Sequence, residues 1–444
     1  MIRGNVSKLT LPASALAISS MMAPVAAHAA TVGVIANGNN TSGGTYYSSV
    51  LLGPGGVLYG VPTNGTSLGH GSVLQFTPPA AGKTIWKQAI LHKFTGYPHD
   101  GTNPQGSVIA DKAGNLYGTT TSGGLNNQGV VFKLTKPAAG KTVWTETILY
   151  NFGLNKNDSS QSRAPLVFDA HGNLYGTTIF GGGSARCGDT GCGVVFKLAP
   201  PAAGKTAWTE TILHRFGATA TDGTLPELSP LIVDAKGNLY GTTGNGGKYN
   251  RGTAFKLAPP AAGKTVWTET ILAQFGSGVN GDVGGASGGL AMDKAGALYG
   301  ALSGGGTGFG SVYRLTPPAA GKTAWTLASL YSFQTFNDCN YPNSSLIIDR
   351  NGTLYGTAPS AGRTQPAPGL SDGCVFSLKK SGAKYLETVV YTFTSTPPTP
   401  PAKGASPQDA LVADAKGNLY GTTNSGGAFQ QGTVFKLTGS GFVP

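Results

Sequence analysis

The sequence predicts an all-β chain, a seven-bladed β-propeller with four antiparallel strands per blade. Three observations lead there. Leu-Tyr-Gly occurs seven times, at Tyr59, Tyr117, Tyr175, Tyr240, Tyr299, Tyr355 and Tyr420, with gaps of 58, 58, 65, 59, 56 and 65 residues. Self-similarity at one period marks a repeat architecture. Each copy divides into strand-length apolar runs separated by turn residues, with no helical period. The fourth strand of the unit is present six times and the other three seven times, as expected if the chain's two ends share the last blade.

Residues 1–29 come first and read as a secretory leader. Arg3 and Lys8 supply its positive start, an apolar stretch follows from Leu9 to Ala27, and Ala27-His28-Ala29 is a small-x-small cleavage site. The expected compartment is periplasmic or extracellular, and residues 30–444 form the propeller. Lys and Arg total 31 against 19 Asp and Glu; without Arg3 and Lys8 the mature chain keeps a net charge of +10. The 70 glycines suit many short strands joined by turns.

The third copy shows the unit. Strand A is Pro165-Leu166-Val167-Phe168, followed by the turn Asp169-Ala170-His171-Gly172-Asn173. Strand B is Leu174-Tyr175-Gly176-Thr177-Thr178, and strand C, after a Gly-rich loop, is Val194-Val195-Phe196-Lys197-Leu198. A Pro-Pro-Ala-Ala-Gly-Lys turn then leads to strand D, Trp208 to Leu213. Trp86, Trp144, Trp208, Trp267 and Trp325 share one place in strand D, with Tyr385 in the sixth copy. A ring returning once per repeat predicts packing between units, since each buries ~150–250 Å². The seventh copy stops after strand C, at Val434-Phe435-Lys436-Leu437. Its outer strand is expected from Thr31-Val32-Gly33-Val34-Ile35, which closes the ring and leaves no open edge.

The run D-x-x-G-N-L-Y-G-T-T-x-x-G-G…G-x-V-F-K-L, best seen at residues 111–133 and 414–436, resembles the exported bacterial tandem-repeat family called GloVer repeats. It is more distantly similar to the NHL-type propeller repeat. The first copy departs from the pattern, with Gly53 in place of the Asp and Val57 in place of the Asn. The resemblance implies an exported propeller and brings no catalytic residues with it.

Alternating strand direction sends the A–B and C–D turns to one face, where they repeat almost unchanged. The B–C and D–A loops go to the other face, where length and content vary. Asymmetry is what a binding site needs, so function is expected on the variable face. The D–A loops enter the innermost strands and ring the channel mouth, which makes Asn103, Gln105, Arg163, Glu227, Tyr341, Asn343 and Gln408 the candidate contacts. His70, His99 and the adjacent Asp100 are a further candidate set from neighbouring blades, able in principle to move a proton or hold a metal. Polar loop residues are the simpler reading of that trio, and no metal or cofactor is expected.

Four cysteines in an exported chain predict two disulfides. Cys187 and Cys192 share one loop, and Cys339 and Cys374 fall on one face of the sixth blade. The Ala-Gly-Lys-Thr turns are not phosphate loops, because Thr77, Thr135, Ala199, Ala258 and Thr316 stand where that motif needs Gly. The six turn aspartates read as turn-bonding groups rather than calcium ligands. The lysines of the repeating face read as solvated turns, and nucleic acid is not an expected partner.

The expectation is a monomeric, non-catalytic binding or surface-structural module whose ligand is a carbohydrate or a protein. The alternative is a metal-dependent propeller hydrolase or lyase acting on carbohydrate or lactone. Three or more Asp, Glu, Asn or His side chains converging in the channel would favour that alternative.

Overall fold

The computed structural model describes residues 30–39, 44–64, 69–155, 157–226, 230–278, 284–286, 288–305, 308–334, 338–361, 372–393 and 403–444. The chain forms seven four-stranded antiparallel sheets, each ordered A-B-C-D from the channel outward. In blade 3 these strands are Val167–Phe168, Leu174–Thr178, Val194–Ala199 and Thr209–Arg215. The A strands shrink to two residues in every blade, and each tryptophan stands immediately before its D strand rather than within it. The expected leader lies outside the described residues.

The last sheet is completed by the N-terminus. Thr31–Asn37 pairs antiparallel with Thr433–Thr438, Val32 opposite Leu437 and Val34 opposite Phe435. Val32 and Ala36 are buried there, so the closing strand contributes apolar packing as well as its backbone ladder.

The core is divided among the seven seams between blades, one apolar cluster at each. The Leu-Tyr-Gly tyrosine of one blade meets the tryptophan of the next edge to face, as in Tyr59–Trp144, Tyr117–Trp208, Tyr175–Trp267 and Tyr240–Trp325. A phenylalanine just past each of six D strands inserts against the C-strand ring of the following blade. Phe94–Phe132, Phe152–Phe196, Phe216–Phe255, Phe275–Tyr313, Phe333–Phe376 and Phe393–Phe435 have centroids 5.0–5.4 Å apart. The Gly of Leu-Tyr-Gly is explained by the same packing: a Cβ on Gly176 would lie 2.6 Å from Phe196 Cζ.

The repeating face is held by its aspartates. Asp234 Oδ1 accepts the N–H groups of Lys236 and Asn238, both at 2.9 Å, while Oδ2 accepts Asn238 Nδ2 at 2.7 Å and the Tyr240 hydroxyl at 3.1 Å. The same set recurs at Asp111, Asp169 and Asp414. These bonds lower the carboxyl pKa of all four against the opposing effect of burial.

The variable face has a regularity of its own. In every blade the D–A loop pairs with the B–C loop, for example Ser159–Ser160 with Phe180–Gly181 and Cys339–Asn340 with Ser360–Ala361. In blades 1, 5 and 7 this pairing is reduced to single bridges at Tyr46–Pro62, Ala286–Leu302 and Ala405–Ser425. The disulfides are Cys187–Cys192 and Cys339–Cys374. Among the described residues no helix is long and apolar enough to cross a membrane.

Candidate functional site

The channel mouth is built from the residues that lead into the seven A strands. Four of the D–A loops turn inward through the same tight backbone position. Asn103, Gln161, Tyr341 and Ser406 take it with φ of 53° to 58°, six residues before their A strands. Their N–H groups donate to carbonyls of the preceding blade's B–C loop at His70, Gln128, Phe309 and Asp372. Two residues on, the chain reaches the mouth. A cavity of ≈ 60 Å³ is lined there by residues from all seven loops, including Tyr47, Gln105, Arg163, Asn343, Gln408 and Asp409.

Four predicted contacts, Gln105, Arg163, Asn343 and Gln408, therefore occupy one equivalent position, four residues before their A strands, and meet around one cavity. Asn103 and Tyr341 belong to the turn instead. Asn103 O accepts both the N–H and the hydroxyl of Thr121, and the exposed Tyr341 lies against Phe309, ring centroids 6.1 Å apart. Glu227 lies outside the described residues.

Small residues (Ser48, Ser49, Ser107, Gly288, Ser344, Ser345) make up much of the remaining wall. Arg163 is the cationic lining group. Its Nε is buried without a hydrogen-bond partner, as is Asn343 Oδ1. Asp409 is the acidic lining group; burial pushes its carboxyl up to about 7, against a bond from the Thr422 hydroxyl at 3.3 Å. The described lining of the mouth thus offers a guanidinium, several amides and hydroxyls, and an acid raised to about 7.

The His70–His99–Asp100 trio resolves differently from its sequence reading. His70 Nδ1 bonds the Thr102 hydroxyl at 2.9 Å, and His99 is exposed. Asp100 turns to His92, a residue of strand D in blade 1, and Oδ2 lies 3.2 Å from its Nε2. Glu146 of the next blade's D strand completes the group, 3.4 Å from the same nitrogen. His214, Asp222 and Glu269 repeat this arrangement between blades 3 and 4. Between blades 2 and 3 the same places hold Tyr150, Asp158 and Glu210; between blades 5 and 6 they hold Tyr331, Asp338 and Glu387.

A bulge in each D strand creates these seams. In blade 3 Val195 pairs with His214 and Phe196 with Ile212, which leaves Leu213 as the extra residue. The residue after the bulge is thereby re-aimed toward the neighbouring blade.

The seams perturb their acids strongly. Burial is the first cause in each case, and it raises Glu146, Glu269 and Glu387 to about 7 and Glu210 to about 8. Burial disfavours the imidazolium of His92, but the bond to Asp100 and the charges of Glu146 and Asp100 outweigh it, so the pKa rises. His214 rises as well, because the nearby carboxylates of Asp222 and Glu269 outweigh the same effect of burial.

With the geometry described, comparisons with known proteins place the chain. The profile of the Gloeobacter/Verrucomicrobia repeat matches residues 22–232 and 228–443, so the chain belongs to that family. No curated protein sequence matches it. Among solved structures it is similar to one described as the extracellular domain of a one component system from B. thetaiotaomicron. That likeness has 14% identity and a TM-score of 0.52 over 93% of this chain and 42% of the other. A fungal alcohol oxidase of the AA5 family in complex with copper is similar at 15% identity and TM-score 0.52, over 91% of this chain and 76% of the other. At these identities the likeness concerns the fold. This chain spans less than half the length of the first of the two.

Proposed function

We propose that this protein is an exported, non-catalytic binding propeller that takes a polar ligand, a carbohydrate or a segment of another protein, at the channel mouth. One observation carries the reading. The scaffold repeats seven times with little change, yet one equivalent lining position of the mouth, four residues before strand A, holds Tyr47, Gln105, Arg163, Asn343 and Gln408 in five different blades. Repetition maintains the ring, whereas divergence confined to a converging position is what recognition of an asymmetric ligand requires.

Amides, hydroxyls and a guanidinium with an unpartnered Nε suit hydrogen bonding to hydroxyl, carboxylate or peptide groups. The hydrolase or lyase alternative needs several metal-binding side chains in the channel. Asn343 and Asp409 are the two Asp, Glu, Asn or His side chains among the described lining residues, short of the three that reading asks for, and the His-Asp-Glu groups lie at the outer seams. Two disulfides and the sequence-predicted leader support a periplasmic or secreted location.

The test is a glycan array and a pull-down from an extracellular protein fraction, run with the wild type and with the Arg163→Ala and Gln408→Ala variants. A ligand held by the wild type and weakened ~10-fold or more by each substitution, as expected for loss of a buried polar contact, supports the reading. Retention of every wild-type interaction by the double variant would remove the mouth as the site.

A further inference from the structure

We infer that the two outer seams containing histidine are divalent transition-metal sites, of the class that suits zinc, each clamping one blade to the next. The first is formed by His92, Asp100 and Glu146, the second by His214, Asp222 and Glu269. In each group the three ligand atoms lie within 4.8 Å of one another.

Apart from His92–Asp100, which at 3.2 Å is also a long hydrogen bond, the distances fit a metal better than direct hydrogen bonding. His92 Nε2 stands 3.2 Å from Asp100 and 3.4 Å from Glu146; His214 Nε2 stands 3.5 Å from Asp222 and 3.6 Å from Glu269. A charge-assisted N–H···O bond closes to ~2.7–2.9 Å. Nitrogen and oxygen ligands at ~2.0–2.1 Å on a tetrahedral ion stand roughly 3.3–3.4 Å apart, close to the spacing found here.

The second observation is what the groups leave unsatisfied. Asp222 has only 3% of its side chain exposed; Oδ2, beside the imidazole, accepts Ala218 N at 2.9 Å and Oδ1 has no hydrogen-bond partner, whereas Asp100 in the first seam accepts bonds from Thr95 and Gly101 on its two oxygens. Glu269 Oε1 and His214 Nε2 are also buried without one, as is Glu146 Oε1 in the first seam. Buried polar atoms in this state are costly unless something unseen completes them.

The fold contains its own control. Where tyrosine replaces histidine, hydrogen bonds alone complete the seam. The Tyr150 hydroxyl reaches Glu210 at 3.0 Å and Asp158 at 3.1 Å, and the Ser159 hydroxyl donates to Glu210. At Tyr331 the hydroxyl reaches Glu387 at 3.2 Å, and Cys339 N donates to the other Glu387 oxygen at 3.1 Å. A phenol oxygen can donate its one proton to one carboxyl and accept a proton from another, whereas the imidazole nitrogen at the centre of the group carries either one proton or one lone pair and cannot do both. One imidazole and two carboxylates form a ligand set suited to zinc and its neighbours, with a fourth place left for water. The histidine side chains remain 19% and 16% exposed, which leaves a route of entry.

The experiment strips the purified protein with a chelator and titrates it with Zn²⁺ by calorimetry and with Co²⁺ by visible absorption. The expected result is two equivalents bound, a Co²⁺ d–d spectrum typical of four ligands, and a rise in melting temperature on metal addition. His92→Tyr and His214→Tyr, which import the residue a sister seam uses, are each expected to fold and to lose one equivalent. The double variant is expected to lose both equivalents and the thermal response. Should either variant misfold, Glu146→Gln and Glu269→Gln give the same stoichiometric readout. Failure of the wild type to bind, or uptake that the double variant retains, overturns the assignment.

Discussion

Replacing Glu210 with glutamine should stabilise the protein above neutral pH while changing it little in mild acid. Glu210 is largely buried between blades 2 and 3, with its carboxyl against Tyr150, Ser159 and Asp158. Burial and the neighbouring Asp158 lift its pKa from 4.5 to about 8, so the folded protein holds a proton there that the unfolded chain releases above pH ~4.5. A raised folded-state pKa contributes stability that is complete below the unfolded value and is lost as pH climbs through the folded one. The slope is ~1.4 kcal/mol per pH unit for one proton, so from pH 5 to pH 7 the wild type loses about 2.5 kcal/mol at this site. Glutamine keeps the shape and the capacity to donate, and it has no proton to lose. Urea unfolding of both proteins across pH 5–9 reads the difference directly, since all other titrations are common to the pair. The stability difference should widen with pH in favour of Glu210→Gln. Parallel pH profiles would show that Glu210 is already ionised in the fold and that the reasoning is wrong.

Two further outcomes follow from the scaffold. Asp234→Ala removes four hydrogen bonds to an ionised carboxylate and should cost about 2–3 kcal/mol in urea unfolding. Asp293→Ala should cost less, because Ala297 replaces the asparagine and three such bonds are made; equal losses would contradict this account of the turn. Replacing both Cys339 and Cys374 with serine should lower stability by about 1.5 kcal/mol more than the same change at Cys187 and Cys192, because 35 residues separate the first pair and five the second. Chemical denaturation of the two double variants under oxidising conditions measures that ordering.

Part of the candidate mouth was legible in the sequence. Gln105, Arg163, Asn343 and Gln408 were found because strand alternation sends each D–A loop to the channel, and counting back from the A strands is enough to reach the mouth. Strand alternation also places Asn103 and Tyr341 on that loop, but the left-handed turn that diverts them is a backbone property that their side chains do not announce. His92 and His214 were missed because alternation alone does not reveal a bulge, and the bulge decides which way the next residue points. Their partners Glu146 and Glu269 lie 54 and 55 residues later, on other blades, with no local signature. A weak signal was present: each histidine precedes an acidic residue by eight positions, a spacing that Tyr150 and Asp158 share.

The amino-acid order alone determined the period, the strand count, the turn chemistry and the closing strand, because each rests on short-range pattern or on simple counting. The tertiary arrangement decided which side chains meet across a seam, which acids keep their protons and which loop positions open on the channel. Those depend on the twist between neighbouring blades and on exclusion of water from the gaps between them, and both arise only when the ring has closed.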